Sequence, residues 1–229
     1  MPVVDLGQTS RRELNHQLHT LSQDTNQTHW RVENPRGQHA LAVGLDAPVT
    51  VEIAGHVGYY CAGMNKQAAV IVEGNAGVGV AENMMSGKVH VKGDASQSAG
   101  ATAHGGLLVI DGNASARCGI SMKGIDIVVK GSIGPMSAFM AQSGNLVVLG
   151  DAGEALGDSI YEARLFVRGE VKGLGADCIE KEMRFEHVKA LGALLEAAGV
   201  AESVKPEEFR RYGSARQLYN FHVDNAAAY

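Results

Sequence analysis

The stretch VIVEGNAGVGVAENMMSGK, residues 70–88, has a β-branched run followed by three closely spaced glycines, Gly74, Gly77 and Gly79. Taken alone it has the look of a nucleotide-binding loop. A phosphate cradle, however, uses its glycines once, between a strand and a helix N-terminus, and a Walker-type loop adds a Lys-Ser/Thr pair that is absent here. In this chain the glycines recur. Aligning TVEIAG, VIVEG, VHVKG, LVIDG, IVVKG, LVVLG and LFVRG on their last residue gives Gly55, Gly74, Gly93, Gly112, Gly131, Gly150 and Gly169, six intervals of 19 residues without an insertion. A register that admits no gap means that each copy stacks on the last.

The columns of this repeat behave as a solenoid requires. Four residues before each glycine stand Val51, Val70, Val89, Leu108, Ile127, Leu146 and Leu165; two before stand Ile53, Val72, Val91, Ile110, Val129, Val148 and Val167. Side chains alternate along a strand, so these two aliphatic columns share one face and form a common core. The residue just before each glycine includes Glu73, Lys92, Asp111 and Lys130, which predicts a solvated ladder of alternating charge. After each glycine comes a polar turn residue (His56, Asn75, Asp94, Asn113, Ser132, Asp151, Glu170). Seven after it the residue is always small: Ala62, Ala81, Gly100, Gly119, Ala138, Gly157, Ala176. Corners this tight need positive φ or close approach of backbone to backbone. The glycines are therefore read as structural. The fold class is an all-β solenoid, a single-stranded right-handed parallel β-helix of about seven coils, roughly 34 Å long at about 4.8 Å per coil.

Three residues before each glycine, on the outward face, stand Glu52, Ile71, His90, Val109, Val128, Val147 and Phe166. The last four make an apolar strip that something must cover, either a C-terminal helix folded back along the rod or a partner subunit. The helical pattern is there: Phe185, Val188, Leu191, Leu194, Leu195 and Ala198 share one stripe, with Gly199 as a C-cap, and Pro206 opens a second short helix in PEEFRRYG. At the other end, VVDL reads as a strand, Ser10 and Glu13 as a capping box, and HWRVEN and HALAVGL as two strands leading into the first coil, as an irregular extra coil would. The expected organisation is an N-terminal cap over 1–48, the β-helix over 49–178 and a helical tail over 179–229.

Composition narrows the function. A net charge of -5 and pI near 6.0 disfavour a nucleic-acid binder. No apolar run suits a bilayer span and the start lacks signal-peptide features, so a cytoplasmic protein is expected. Cys61, Cys118 and Cys178 have no metal-ligand spacing, and three coils separate Cys61 from Cys118 by about 14 Å, beyond disulfide reach. No GxSxG, HExxH or DxDxDG motif occurs. His90 and His104 fall in one coil region without a nucleophile beside them; Tyr59-Tyr60 and Asn83-Met84-Met85 sit in loops after the corners and suit contact or packing equally. No catalytic, cofactor-binding or metal residue is assigned.

The repeat resembles the GXGXG-type β-helix that forms the C-terminal domain of the glutamate synthase large subunit and also occurs as separate subunits. The residues carrying the resemblance are Gly74-Asn-Ala-Gly77-Val-Gly79, Gly150-Asp-Ala-Gly153-Glu-Ala-Leu-Gly157 and NMMSG at 83–87, with Ser96 and Ser115 departing from the motif. The stand-alone form, with a tail running through Leu218-Tyr219-Asn220-Phe221, is most similar to the small glutamate synthase-like subunit of N-methylglutamate synthase. The resemblance implies a non-catalytic scaffold in a hetero-oligomer, joining a glutaminase-type amidotransferase subunit to an FMN-binding synthase subunit. It places FMN in that partner, with an iron–sulfur cluster as a second candidate there, and has the complex convert methylamine and glutamate to N-methylglutamate and ammonia. The chain starts Met1-Pro2, without the N-terminal cysteine nucleophile of such amidotransferases. The equivalent subunit of formylmethanofuran dehydrogenase is the alternative within the motif. A β-helix polysaccharide enzyme is opposed by the 5% aromatic content, and a left-handed acyltransferase helix would close a coil in about 18 residues, not 19.

Overall fold

The computed structural model describes residues 1–216, and the tail segment Leu218–Phe221 lies outside them. The aliphatic columns stack as their spacing predicts. Strands β1 (Val3–Asp5), β2 (His29–Glu33), β3 (Thr50–Ile53), β4 (Ala69–Val72), β5 (Lys88–Val91), β6 (Leu107–Ile110), β7 (Lys123–Val129), β8 (Ser143–Val148) and β9 (Arg164–Val167) pair in chain order, each parallel to the next. The register sets Val72 between Ile53 and Val91, and Val91 beside Ile110. Both core columns are at most 1% exposed from Val51 to Val167. The result is a parallel β-solenoid of about seven turns.

Two kinds of corner explain the glycines. At the recurring glycines the requirement is close approach: a Cβ on Gly112 would lie 2.9 Å from the carbonyl oxygen of Gly93, and one on Gly131 would lie 2.7 Å from that of Gly112. At the small-residue column seven positions later the requirement is conformational. Ala62, Ala81, Gly100, Gly119, Ala138 and Gly157 all have φ between 55° and 68°. A left-handed alanine costs roughly 1 kcal/mol, and each is held by its N–H donating into the coil before, as Ala138 does to the Cys118 carbonyl at 2.7 Å.

The polar turn residues form a continuous rail. His56 Nδ1 accepts the Asn75 N–H at 2.9 Å, and Asn75 Oδ1 that of Asp94 at 3.0 Å. Asp94 and Asn113 carboxylate or amide oxygens then accept from Asn113 and Ser132 at 2.7 and 2.9 Å, and Ser132 Oγ and Asp151 Oδ1 accept from Asp151 and Glu170 at 2.9 and 2.8 Å. Every coil is thus tied to its neighbour by side chain as well as by backbone.

Several expectations are corrected at the ends. The sheet does not begin at residue 49: β1 and β2 already belong to it, with Trp30 beside Val51 and Val32 beside Ile53. His39–Leu45 is a turn, not a strand, because Ala40, Ala42 and Gly44 take φ of 53°, 54° and 67°, the same alternation found at the later corners. Helix α1 (Arg11–His19) lays Leu14 and Leu18 over the open end of the core. Only half of its capping box forms: Ser10 Oγ accepts the Glu13 N–H at 3.2 Å, while Glu13 Oε1 takes Gln17 Nε2 at 3.0 Å.

The C-terminal region is not wholly helical. After β10 (Cys178–Lys181) comes α2 (Phe185–Ala197), then a 3-10 turn at Pro206–Glu208 and strand β11 (Arg210–Ser214), where the sequence suggested a second helix. Burial decides it: Phe209 packs under α2 and Tyr212 enters the solenoid core, which an extended backbone allows. Strand β11 inserts antiparallel between β9 and β10 and ends the parallel ladder. Helix α2 closes in a Schellman arrangement, with Gly199 at φ 72°, its N–H on the Glu196 carbonyl and the Val200 N–H on that of Leu195, both at 2.9 Å. Lys88 Nζ also donates to the Ala197 carbonyl at 3.2 Å. No described helix is long and apolar enough to cross a membrane.

Candidate functional site

Val109, Val128, Val147 and Phe166, the candidate partner contacts, form the outward strip. All four are 0–1% exposed and pack against Leu191, Leu195, Ala198, Val204 and Phe209. The covering element is therefore α2 of the same chain, and these residues offer no contact surface while it is docked. Burial of each large aliphatic side chain there contributes about 1.5–3 kcal/mol. The recurring glycines Gly55 to Gly169 line corners and meet only neighbouring coils and turns. Phe185, placed on the helix stripe by its spacing, instead stands 82% exposed at the start of α2.

The loops singled out in the sequence separate into packing and surface. Met84 is buried, whereas Met85 is 44% exposed. Tyr59 stacks on His39 at 4.0 Å between ring centroids and stays half exposed. Asn83 bridges coils, donating to Tyr60 Oη at 3.4 Å and accepting from Thr102 Oγ1 at 2.6 Å. Tyr59, Met64, Val78, Met85, Met140 and Tyr161 are exposed apolar side chains on the turns, spread from the first coil to the sixth.

The titratable groups are arranged for structure. His90 and His104 do not combine: His90 Nε2 lies 2.9 Å from Asp111 Oδ1, which also takes Lys130 Nζ at 2.7 Å, while His104 is exposed. That triad is the one part of the predicted charge ladder that closes; Glu73 and Lys92 form no ion pair among the described residues. Asp111 is the hub: burial works against its charge, but the Lys130 and His90 hydrogen bonds outweigh it and hold its carboxyl below the ordinary value. Asp126 is pushed the other way by burial, although Asn145 Nδ2 donates to it at 2.7 Å.

The thiols are free and buried, as the spacing implied. Burial pushes Cys61 and Cys118 up to about 12 and Cys178 up to about 11, so none is a thiolate at neutral pH. Standing in separate coils, they form no ligand set for a cluster. No group of three or more His, Cys, Asp or Glu residues converges on a metal position among the described residues.

One feature of the site region had no signal in the sequence. At the C-terminal end of the rod, Arg164 of β9, Arg211 of β11 and Lys181 of β10 meet on the outward face. Their strands pair antiparallel, with Arg211 directly between Phe166 and Lys181. His187, in the first turn of α2, is buried at 3% exposure beside them. Its Nδ1 accepts the Arg184 N–H at 3.1 Å, and burial, then the fields of Arg211, Arg164 and Arg184, hold it below the ordinary histidine value.

No protein-family model matches the chain. It is 69% identical over 229 residues to Protein GlxC of Rhizobium meliloti (strain 1021), with 100% of both chains covered. At that identity over the whole length, the chain belongs to the GlxC family.

Proposed function

We propose that the chain is the non-catalytic β-solenoid subunit of a cytoplasmic glutamate synthase-like complex, and that the complex is N-methylglutamate synthase. In this reading it joins a glutaminase-type amidotransferase subunit to an FMN-binding synthase subunit. FMN, and an iron–sulfur cluster if one is present, belong to the synthase subunit. The observation that carries the reading is the uninterrupted rail from His56 to Glu170, laid alongside a parallel ladder that runs from β1 to β9. A body tied at every coil by backbone and side-chain bonds has little freedom to stretch or bend, which suits an element that fixes the separation of two bound partners. Supporting it, the side chains that chemistry would use are engaged in holding coils together: Asp111 with His90 and Lys130, and Asn83 with Tyr60 and Thr102.

Co-expression of the chain with a glutaminase-like and an FMN-binding subunit tests this. The three should purify together and form N-methylglutamate from methylamine and glutamate. Full activity of the other two without this chain, or turnover by this chain alone, would overturn the scaffold reading. An assembled but differently selective complex would overturn only the choice of N-methylglutamate synthase.

A further inference from the structure

The cationic group at the C-terminal end of the rod has no ion-pair partner among the described residues. Arg211 is 4% exposed, and among the described residues its guanidinium makes one hydrogen bond, from Nε to the Glu182 carbonyl at 2.9 Å. No described carboxylate forms an ion pair with Arg211, Arg164 or Lys181; Lys181 Nζ donates instead to the Ser214 carbonyl at 2.9 Å. The nearby carboxylates Glu182 and Glu186 act on Arg211 only through their fields: Glu182 is 77% exposed at its side chain and Glu186 is exposed in the first turn of α2. A guanidinium removed from water without an anionic partner is strongly unfavourable, and crowding it with further cations makes it more so.

Strand pairing brings these groups together. Arg211 and Lys181 are direct cross-strand partners, and Arg164 lies two residues along β9 from Phe166, the other partner of Arg211. Gly213 carries no side chain to part them: a Cβ there would stand 3.3 Å from Lys181 Cδ and 3.9 Å from Arg211 Nη1. Arg211 and Lys181 are each held below their ordinary values by burial first and then by neighbouring arginines, with Glu186 and Glu182 opposing the shift at Arg211.

We infer that Arg164, Lys181 and Arg211 form a binding niche for one oxyanion, a carboxylate or a phosphate, seated at the C-terminal end of the solenoid. A guanidinium offers paired donors in the plane an oxyanion requires, and the Lys181 ammonium adds a third direction. Binding there supplies a directly paired counter-charge and stiffens the junction of β9, β11 and β10, the point where the parallel ladder stops. The niche stands independently of the scaffold reading, since it belongs to the isolated chain.

The test uses the full chain in a buffer free of multivalent anions. Inorganic phosphate and malonate are titrated separately while the Arg211 Nε–H resonance and the melting temperature are followed. Both readouts should move saturably with at least one of the two anions, and sodium chloride at equal ionic strength should not reproduce the effect. Saturation by malonate identifies a carboxylate-accepting niche, and saturation by phosphate alone a phosphate niche. Arg164→Gln, at a half-buried position whose guanidinium anchors nothing else described, should fold normally and bind about tenfold or more weakly. Arg211→Met should melt no lower than the parent without anion and should lose the response. Absence of saturation, an equal effect of chloride, or unchanged affinity in Arg164→Gln would each overturn the niche.

Discussion

Asn113 Oδ1 accepts the backbone N–H of Ser132, nineteen residues on, at 2.9 Å, while Asn113 gives its own N–H to Asp94 Oδ1 at 2.7 Å. One residue thus links three successive coils. Asn113→Ala should leave the Ser132 N–H without its protein acceptor and cost about 1 kcal/mol. The measurement is amide exchange, with the Ser132 amide losing protection while the core strands keep theirs. Asn113→Ser, by the precedent of Ser132 at the next rung, should retain most of it.

Two glycines should respond to alanine with opposite signs. Gly112→Ala drives a methyl to 2.9 Å from the Gly93 carbonyl oxygen and 2.3 Å from Asp94 Oδ1, so the stack must open; a loss of about 1–3 kcal/mol is expected. Gly192 lies inside α2 with Pro206 Cγ at 3.7 Å from the built Cβ as its nearest neighbour. Gly192→Ala should stabilise α2 by roughly 0.5–1 kcal/mol through helix propensity. Urea unfolding of the two variants checks both.

Leu195 is fully buried between α2 and the strip of Val128, Val147 and Phe166. Leu195→Ala should cost about 2–5 kcal/mol, concentrated in α2, so that exchange over Phe185–Ala197 accelerates while the solenoid core is unchanged. Equal acceleration in both would mean that helix and rod unfold as one unit.

His187 makes helix docking pH-dependent. Its Nδ1 accepts a backbone N–H, which requires a neutral ring, and burial with the adjacent arginines lowers its folded value below the ordinary 6.5. The unfolded chain therefore takes up the proton more readily. The contribution of this contact is full above the unfolded value and is lost as pH falls through the lower folded one. Exchange in α2, corrected for intrinsic rates, should accelerate on acidification, and His187→Asn should flatten that dependence.

Much of this architecture was legible because a 19-residue register leaves aliphatic columns that no other arrangement uses, and because Leu191 and Leu195 mark the face that covers the strip. Misreadings arose where local pattern and tertiary context part. His39–Leu45 alternates like a strand, yet left-handed alanines at 40 and 42 turn it into a corner that is held by bonds to the next coil. Arg210–Ser214 follows a helix-start signal at Pro206, but its partner β9 lies more than forty residues upstream and takes it as a strand. The cationic niche was invisible for the same reason: antiparallel pairing of β9, β11 and β10 assembles it from residues 164, 181 and 211.

The most direct test of a stiff, single-register rod is to excise one coil. Removing residues 56–74 deletes nineteen positions and joins Gly55 to Asn75, which should leave a folded solenoid shorter by about 4.8 Å with α2 still docked. Removing 56–73 deletes eighteen and joins Gly55 to Gly74, which leaves one coil a residue too long between Ile53 and Val91 and strains the register at that junction. Thermal unfolding followed by circular dichroism should show a cooperative transition for both, with the second melting at the lower temperature. Two variants of equal stability would contradict the account.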